Sequence, residues 1–201
     1  MIVVFDIGNV LLRWNPRYLY RKVFDDEERM ERFLATALGM DFVSHTDIVA
    51  DFAGALEARA KDFPEFAEEL RMFHKRWIET LGGPIEENVA LLRRLRAAGK
   101  RVYALSNFAH ETFALAERNH DFLGEFDDRV ISGHVGVVKP EPRIYQILFE
   151  RVGRQPSELL FIGDSAPNVR AAEKLGMPAI HFTPGVDLEK ELVARGALDR
   201  R

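Results

Sequence analysis

The chain has 201 residues, enough for one sizeable core or a core with a small insertion. Its 47% hydrophobic and 30% charged content is that of a globular protein, and a net charge of −4 offers nucleic acid or an anionic membrane no attraction. The absence of cysteine excludes disulfides, thiol catalysis and thiolate metal sites. No apolar stretch approaches a membrane span, and no signal-peptide pattern precedes the first apolar run, so a cytoplasmic enzyme is expected.

In chain order, the first element is Ile2-Val3-Val4-Phe5. An unbroken β-branched and aromatic run reads as a strand buried on both faces. Asp6 stands where that strand ends, the place where α/β sheets bind ligands, and is a candidate nucleophile or metal ligand.

The next segment, residues 13–81, shows no strand-like run and reads as helical almost throughout. Asp25-Asp26-Glu27-Glu28 suits a helix start. Ile48, Phe52 and Leu56 make one apolar stripe. Phe63, Phe66, Leu70, Phe73 and Trp77 make a stronger one, with Asp62 as its expected start. Both stripes are expected to form the segment's own core. Gly82-Gly83-Pro84 is expected to break the chain there. Arg13, Trp14 and Tyr18 fall near the expected hinge.

Beyond it, Ile85, Val89, Leu92 and Leu95 mark a helix over residues 85–98, stopped by Gly99. Strands are expected at Val102–Leu105, Val130–Ile131, Leu159–Ile162 and Ala179–Phe182. Helices are expected over Glu141–Val152, Pro167–Leu175 and Leu188–Ala194. Alternating strands and helices define an α/β fold: a Rossmann-like parallel sheet core with helices on both faces. The expected core is 1–12 and 82–201, with an inserted all-helical cap over 13–81.

Three polar sites follow three strand ends: Asp6, Ser106-Asn107 and Asp164. A parallel sheet brings them to one edge. Lys139 joins them from Lys139-Pro140-Glu141-Pro142, where the prolines fix the turn and open a helix. Two carboxylates suit magnesium, while a serine hydroxyl, N–H groups and a lysine suit a phosphate. An aspartate so placed can attack phosphorus. Bland roles exist for several of these residues. Ser106 and Ser165 are each expected to cap a helix, and Asn168 reads equally as a ligand partner or a first-turn residue. His110 is expected on a helix surface, and Arg93, Arg94 and Arg96 on a solvated face.

In order and spacing, Phe5-Asp6-Ile7-Gly8-Asn9-Val10, Leu105-Ser106-Asn107, Lys139-Pro140-Glu141-Pro142 and Gly163-Asp164-Ser165-Ala166-Pro167-Asn168 resemble the four motifs of the haloacid dehalogenase superfamily. The resemblance spans the whole chain, including a helical cap after the first motif. It implies magnesium held by Asp6, Asp164 and the Gly8 carbonyl. It implies Asp6 as nucleophile, with Ser106, Asn107 and Lys139 on the phosphate, and Ser165 and Asn168 in secondary roles.

Two positions depart from the pattern. Gly8 replaces a second Asp that serves as acid and base, and Asn168 replaces an acid. General acid–base help is worth ~10²–10⁴-fold, so a leaving group that needs little protonation is expected. An anomeric sugar 1-phosphate is favoured, with acyl and aryl phosphates as alternatives, because Asp-x-Gly-Asn-Val resembles a branch of sugar-phosphate phosphatases. The expected function is therefore a magnesium-dependent phosphatase of a small phosphorylated metabolite. A metal-independent 2-haloacid dehalogenase, which Gly8 and Tyr145 would suit, and a non-catalytic phosphometabolite-binding protein are the alternatives. Aromatics of the cap are candidates for a homodimer surface.

Overall fold

The computed structural model describes residues 1–199; the last two residues of the expected core lie outside the described residues. The first strand, β1 (Ile2–Phe5), is buried at all four positions. The chain then turns at Asn9, whose φ of 55° lies in the left-handed region that asparagine tolerates better than most residues. A short strand follows, β2 (Leu12–Trp14), and then five helices: α1 (Arg17–Tyr20), α2 (Glu27–Ala35), α3 (Met40–Thr46), α4 (Phe52–Asp62) and α5 (Ala67–Lys75). Strand β3 (Leu81–Pro84) returns the chain to the core.

From there helices and strands alternate: α6 (Glu86–Ala97), β4 (Val102–Ser106), α7 (His110–Asn119), β5 (Asp128–Ile131), α8 (Ser132–Val135) and α9 (Pro142–Val152). They continue with β6 (Leu159–Gly163), α10 (Ala166–Lys174), β7 (Ala179–His181) and α11 (Leu188–Ala194). The sheet has the order β5-β4-β1-β6-β7, and every pairing in it is parallel. This is the Rossmann-like arrangement expected from the alternation. β1 lies in the middle, flanked by β4 and β6, so Asp6 is central on the carboxyl edge.

One apolar cluster joins the sheet face of Val3 and Phe5 to Phe33, Phe52, Phe73 and Trp77 of the insert. The insert is thus packed against the core. The opposite sheet face, with Val4 and Phe161, buries Tyr145 and Leu148 of α9 and Val169 of α10.

The structure corrects three expectations. The insert is not helical throughout, because Arg13, Trp14 and Leu81 belong to a two-stranded antiparallel ribbon of β2 and β3. Gly82-Gly83-Pro84 is part of that ribbon rather than a break. Its glycines are required there: a Cβ on Gly82 would lie 2.6 Å from the Tyr18 ring, and Gly83 has a φ of 84°. Asp62 ends α4 instead of starting a helix; the chain restarts after Phe63, with Pro64 opening a single 3-10 turn. The helix starts are capped by Asp26, which accepts from Glu28 N–H at 3.0 Å, and by Asp51, which accepts from Gly54 N–H at 2.8 Å. The aromatic stripe is core, with Phe66, Leu70, Phe73 and Trp77 buried. Among the described aromatics of the insert only Tyr18 is exposed, which removes the basis for an aromatic dimer surface. Arg93, Arg94 and Arg96 pair with Glu125, Glu189 and Asp127, as suits a solvated face.

Candidate active site

Asp6 leaves β1 with its N–H on the Ile162 carbonyl at 2.8 Å, so β6 fixes its main chain. Its carboxylate is buried and fully engaged. Oδ1 accepts from the Ile7 N–H at 2.8 Å and from the Ser106 hydroxyl at 2.9 Å. Oδ2 pairs with the Lys139 ammonium. That ammonium also donates to the Leu105 carbonyl at 2.7 Å and lies 5.3 Å from the centre of the Phe161 ring. The Lys139 side chain is itself buried, so a cation and an anion removed from water face each other at the sheet edge.

Ser106 is the last residue of β4 and does not cap α7, which starts behind Ala109. Its expected capping role is corrected: the hydroxyl serves Asp6. Asn107 binds the main chain of Lys139 through both ends of its amide, at 3.0 and 2.8 Å. Ser165 occupies the N-cap position of α10 but makes no capping bond, and it lines the cavity. Asn168 lines the same cavity, while its carbonyl accepts from the buried Tyr145 hydroxyl at 2.8 Å. His110 is exposed, as expected.

Asp164 follows β6 and is half-buried. Burial pushes its carboxyl above the usual range and the charge of Asp6 adds to this, while Lys139 and the Asn9 side chain pull it down. A carboxyl raised by burial and by a neighbouring carboxylate suits a bound cation. Among the described residues no three His, Cys, Asp or Glu side chains cluster, so the available set is Asp6, Asp164 and the Gly8 carbonyl. That set fits magnesium, which takes one or two carboxylates and keeps several waters.

These groups line a cavity of ≈ 370 Å³ between core and insert. The insert side is mainly apolar, with Trp14, Met40, Val43, Phe52, Phe73 and Trp77. Two of the polar lining residues that went unnoticed in the sequence are Asn9 and Asp47. Asn9 accepts the Trp14 N–H at 3.0 Å and so ties the first motif to the ribbon; its one signal was an asparagine after glycine at a tight turn. Asp47, just past α3, had no sequence signal. Burial pushes its carboxyl up to about 7, against an N–H from Ala109 and the charge of Lys139.

This sheet and site define a class of hydrolase. The chain belongs to the haloacid dehalogenase-like hydrolases, whose family model matches residues 1–176. It is 25% identical over 195 residues to the sesquiterpene phosphatase astK of Aspergillus oryzae, covering 94% of this chain and 93% of that one. It is 32% identical over 95 residues to an (S)-2-haloacid dehalogenase of Pseudomonas fluorescens, covering 47% of this chain and 42% of that one. It is 34% identical over 107 residues, 51% of this chain, to acyl-CoA dehydrogenase family member 10 of Mus musculus, and spans 10% of that protein's length. In fold it is similar to a haloacid dehalogenase family enzyme of Bacteroides thetaiotaomicron in complex with magnesium and inorganic phosphate. The TM-score is 0.71 at 22% identity, covering 94% of this chain and 97% of that one.

Proposed function

We propose that this hydrolase is a magnesium-dependent phosphatase of a small phosphorylated metabolite, with Asp6 as nucleophile. The observation that carries the reading is the meeting of Asp6, Ser106, Lys139 and Asp164 at one cavity. Asp6, Asp164 and the Gly8 carbonyl would hold magnesium, which supplies positive charge against the phosphate oxygens. Lys139 neutralises the phosphoryl group from the other side, released from Asp6 as substrate enters. Ser106 Oγ keeps Asp6 aimed and then donates to a phosphate oxygen. Asn107 holds Lys139 in place and presents its own N–H. Ser165 and Asn168 contribute donors at the rim. Asp6 then attacks phosphorus, the bond to the leaving oxygen breaks, and water later releases phosphate from the aspartyl-phosphate.

The insert, residues 13–81, would act as the cap that selects the substrate and excludes water. Its apolar wall favours an aryl or otherwise apolar phosphate monoester over the sugar 1-phosphate favoured from the sequence, because a sugar would leave its hydroxyls facing rings. The phosphatase relative that acts on a sesquiterpene substrate supports the same choice.

A dehalogenase reading draws on Gly8 and on the Pseudomonas relative. Against it, Asp164 would repel an anionic haloacid in a site without metal, and Tyr145, its hydroxyl bonded to the Asn168 carbonyl, is not among the residues lining the cavity.

The test is phosphate release from a panel of aryl, prenyl, acyl and sugar 1-phosphates, with magnesium and with EDTA. The expected result is magnesium-dependent release, fastest on the apolar esters. Chloride release from 2-chloropropionate in EDTA would replace this reading with the dehalogenase. Binding of inorganic phosphate with no turnover of any ester would make the chain a binding protein.

A further inference from the structure

Gly8 leaves the first motif without an acid–base side chain, and the groups at the sheet edge are already committed. On the phosphatase reading Asp6 is the nucleophile, Asp164 a metal ligand, and Lys139 the partner of the phosphate. No histidine lines the cavity among the described residues. Of the insert residues that do line it, one is ionisable: Asp47.

Asp47 is held there by the core as well as by its own helix. Its N–H closes α3 on the Val43 carbonyl at 3.2 Å. Its carbonyl lies 3.1 Å from the hydroxyl of buried Ser132, which in turn accepts the Phe108 N–H at 2.8 Å. The residue as a whole is half-buried, but its carboxyl is enclosed, near the Ala109 N–H and within the field of Lys139. Asp47 is thus pinned beside the chain that follows Ser106-Asn107, in the cavity that Asp6 also lines.

We propose that Asp47 supplies from the insert the acid–base function that Gly8 lacks, an inference that rests on the phosphatase reading. In the first step the P–O bond to the leaving group breaks as the Asp6 Oδ–P bond forms, and the leaving oxygen takes the Asp47 proton. In the second step water attacks phosphorus and breaks the Asp6 Oδ–P bond. Asp47 takes the water's proton and is reset. A carboxyl that stays protonated toward neutral pH meets the requirement for such an acid. The charged groups sharing its cavity are Asp6, Lys139 and Asp164. His45 on its own helix is exposed; His74 of α5 is paired with Glu111 of α7 at 3.0 Å; and His110 stacks on His134 of α8 with centroids 4.9 Å apart. None of these histidines lines the cavity, so none offers a substitute.

The competing role is structural, an acceptor for the Ala109 N–H. Asp47→Asn keeps that acceptor and removes the proton. The test uses two esters of similar size, benzyl phosphate, whose leaving oxygen is strongly basic, and 4-nitrophenyl phosphate, whose leaving oxygen is weakly basic. Asp47→Asn is expected to lose about 10²-fold or more on the benzyl ester and under about tenfold on the nitrophenyl ester. Parent activity on the benzyl ester should fall on the alkaline side, and the variant should lack that limb.

Gly8→Asp provides the second arm. A Cβ at Gly8 meets nothing within 4 Å, so a side chain can start there without a clash. Added to Asp47→Asn, it should restore benzyl ester turnover at least about tenfold, which repair of a structural contact would not do. Equal losses on both esters, or losses within about twofold on both, overturn the proposal, as does a parent with no alkaline limb specific to the benzyl ester. The parent's pH profile needs no variant, so a variant that fails to fold leaves the proposal testable. A parent inactive on every ester overturns the phosphatase reading and this one with it; an active parent with an unmoved Asp47→Asn overturns only this one.

Discussion

Asn107 grips the main chain of Lys139 from both sides, donating to its carbonyl at 3.0 Å and accepting its N–H at 2.8 Å. This pair sets where the ammonium starts, and the side chain then runs buried to Asp6. Asn107→Ala leaves two main-chain groups without partners and should cost about 2–3 kcal/mol. Turnover should fall about 10²-fold, because a displacement of roughly 1 Å is worth that much. Asn107→Asp keeps the acceptor and loses the donor, so it should fall between. Thermal denaturation and steady-state rates check this; an Asn107→Ala variant with parental rates would refute it.

The Asp6–Lys139 pair predicts an uneven double-mutant cycle. Asp6→Ala leaves a buried ammonium facing one carbonyl and should destabilise by about 3–5 kcal/mol. Lys139→Met in that background removes the stranded charge and should recover most of the loss. Urea unfolding of the four proteins measures it. Additive effects would mean that the ammonium finds water when Asp6 is gone.

Asp47 gives a pH dependence without magnesium. Its carboxyl titrates near 7 in the folded chain, against an ordinary value of 3.8. Between those values the folded state binds more protons, so stability falls as pH rises, by at most about 1.4 kcal/mol per unit. The amide introduced by Asp47→Asn does not titrate. The stability of that variant relative to the parent should therefore climb from about pH 4 to about pH 7 and level off above. A flat difference across that range would show that the carboxyl is solvated.

Much of this was legible in the sequence, and the reason is local. The β1, β4 and β6 runs are apolar without interruption, so their burial could be read directly, and Asp6, Ser106 and Asp164 fall where those runs end. The ribbon was hidden because Gly82-Gly83-Pro84 has the composition of a turn; its strand character comes from pairing with residues on the far side of the insert. Asp47 was hidden for the same reason. Nothing near it in the chain marks it, and its anchor on Ser132 spans 85 positions.

Trp14 tests the apolar wall. It is half-buried on the ribbon and faces the cavity. Trp14→Ala should raise KM for an aryl phosphate about tenfold, the equivalent of roughly 1.4 kcal/mol of lost aromatic contact. Acetyl phosphate, with no apolar body, should be hydrolysed with unchanged KM. Equal effects on both substrates would assign Trp14 to fold integrity instead.

Strands β2 and β3 leave and re-enter the core side by side, with Leu12 opposite Pro84. Everything between them leaves and rejoins the chain through one two-thread seam, whatever its packing on the core. A segment whose ends are already neighbours can be exchanged as a cassette without asking the sheet to rearrange. Asp6, Lys139 and Ser106 would all stay behind. Asp47 would leave with the cassette, so under the proposed chemistry replacing the insert would alter proton transfer along with the choice of substrate.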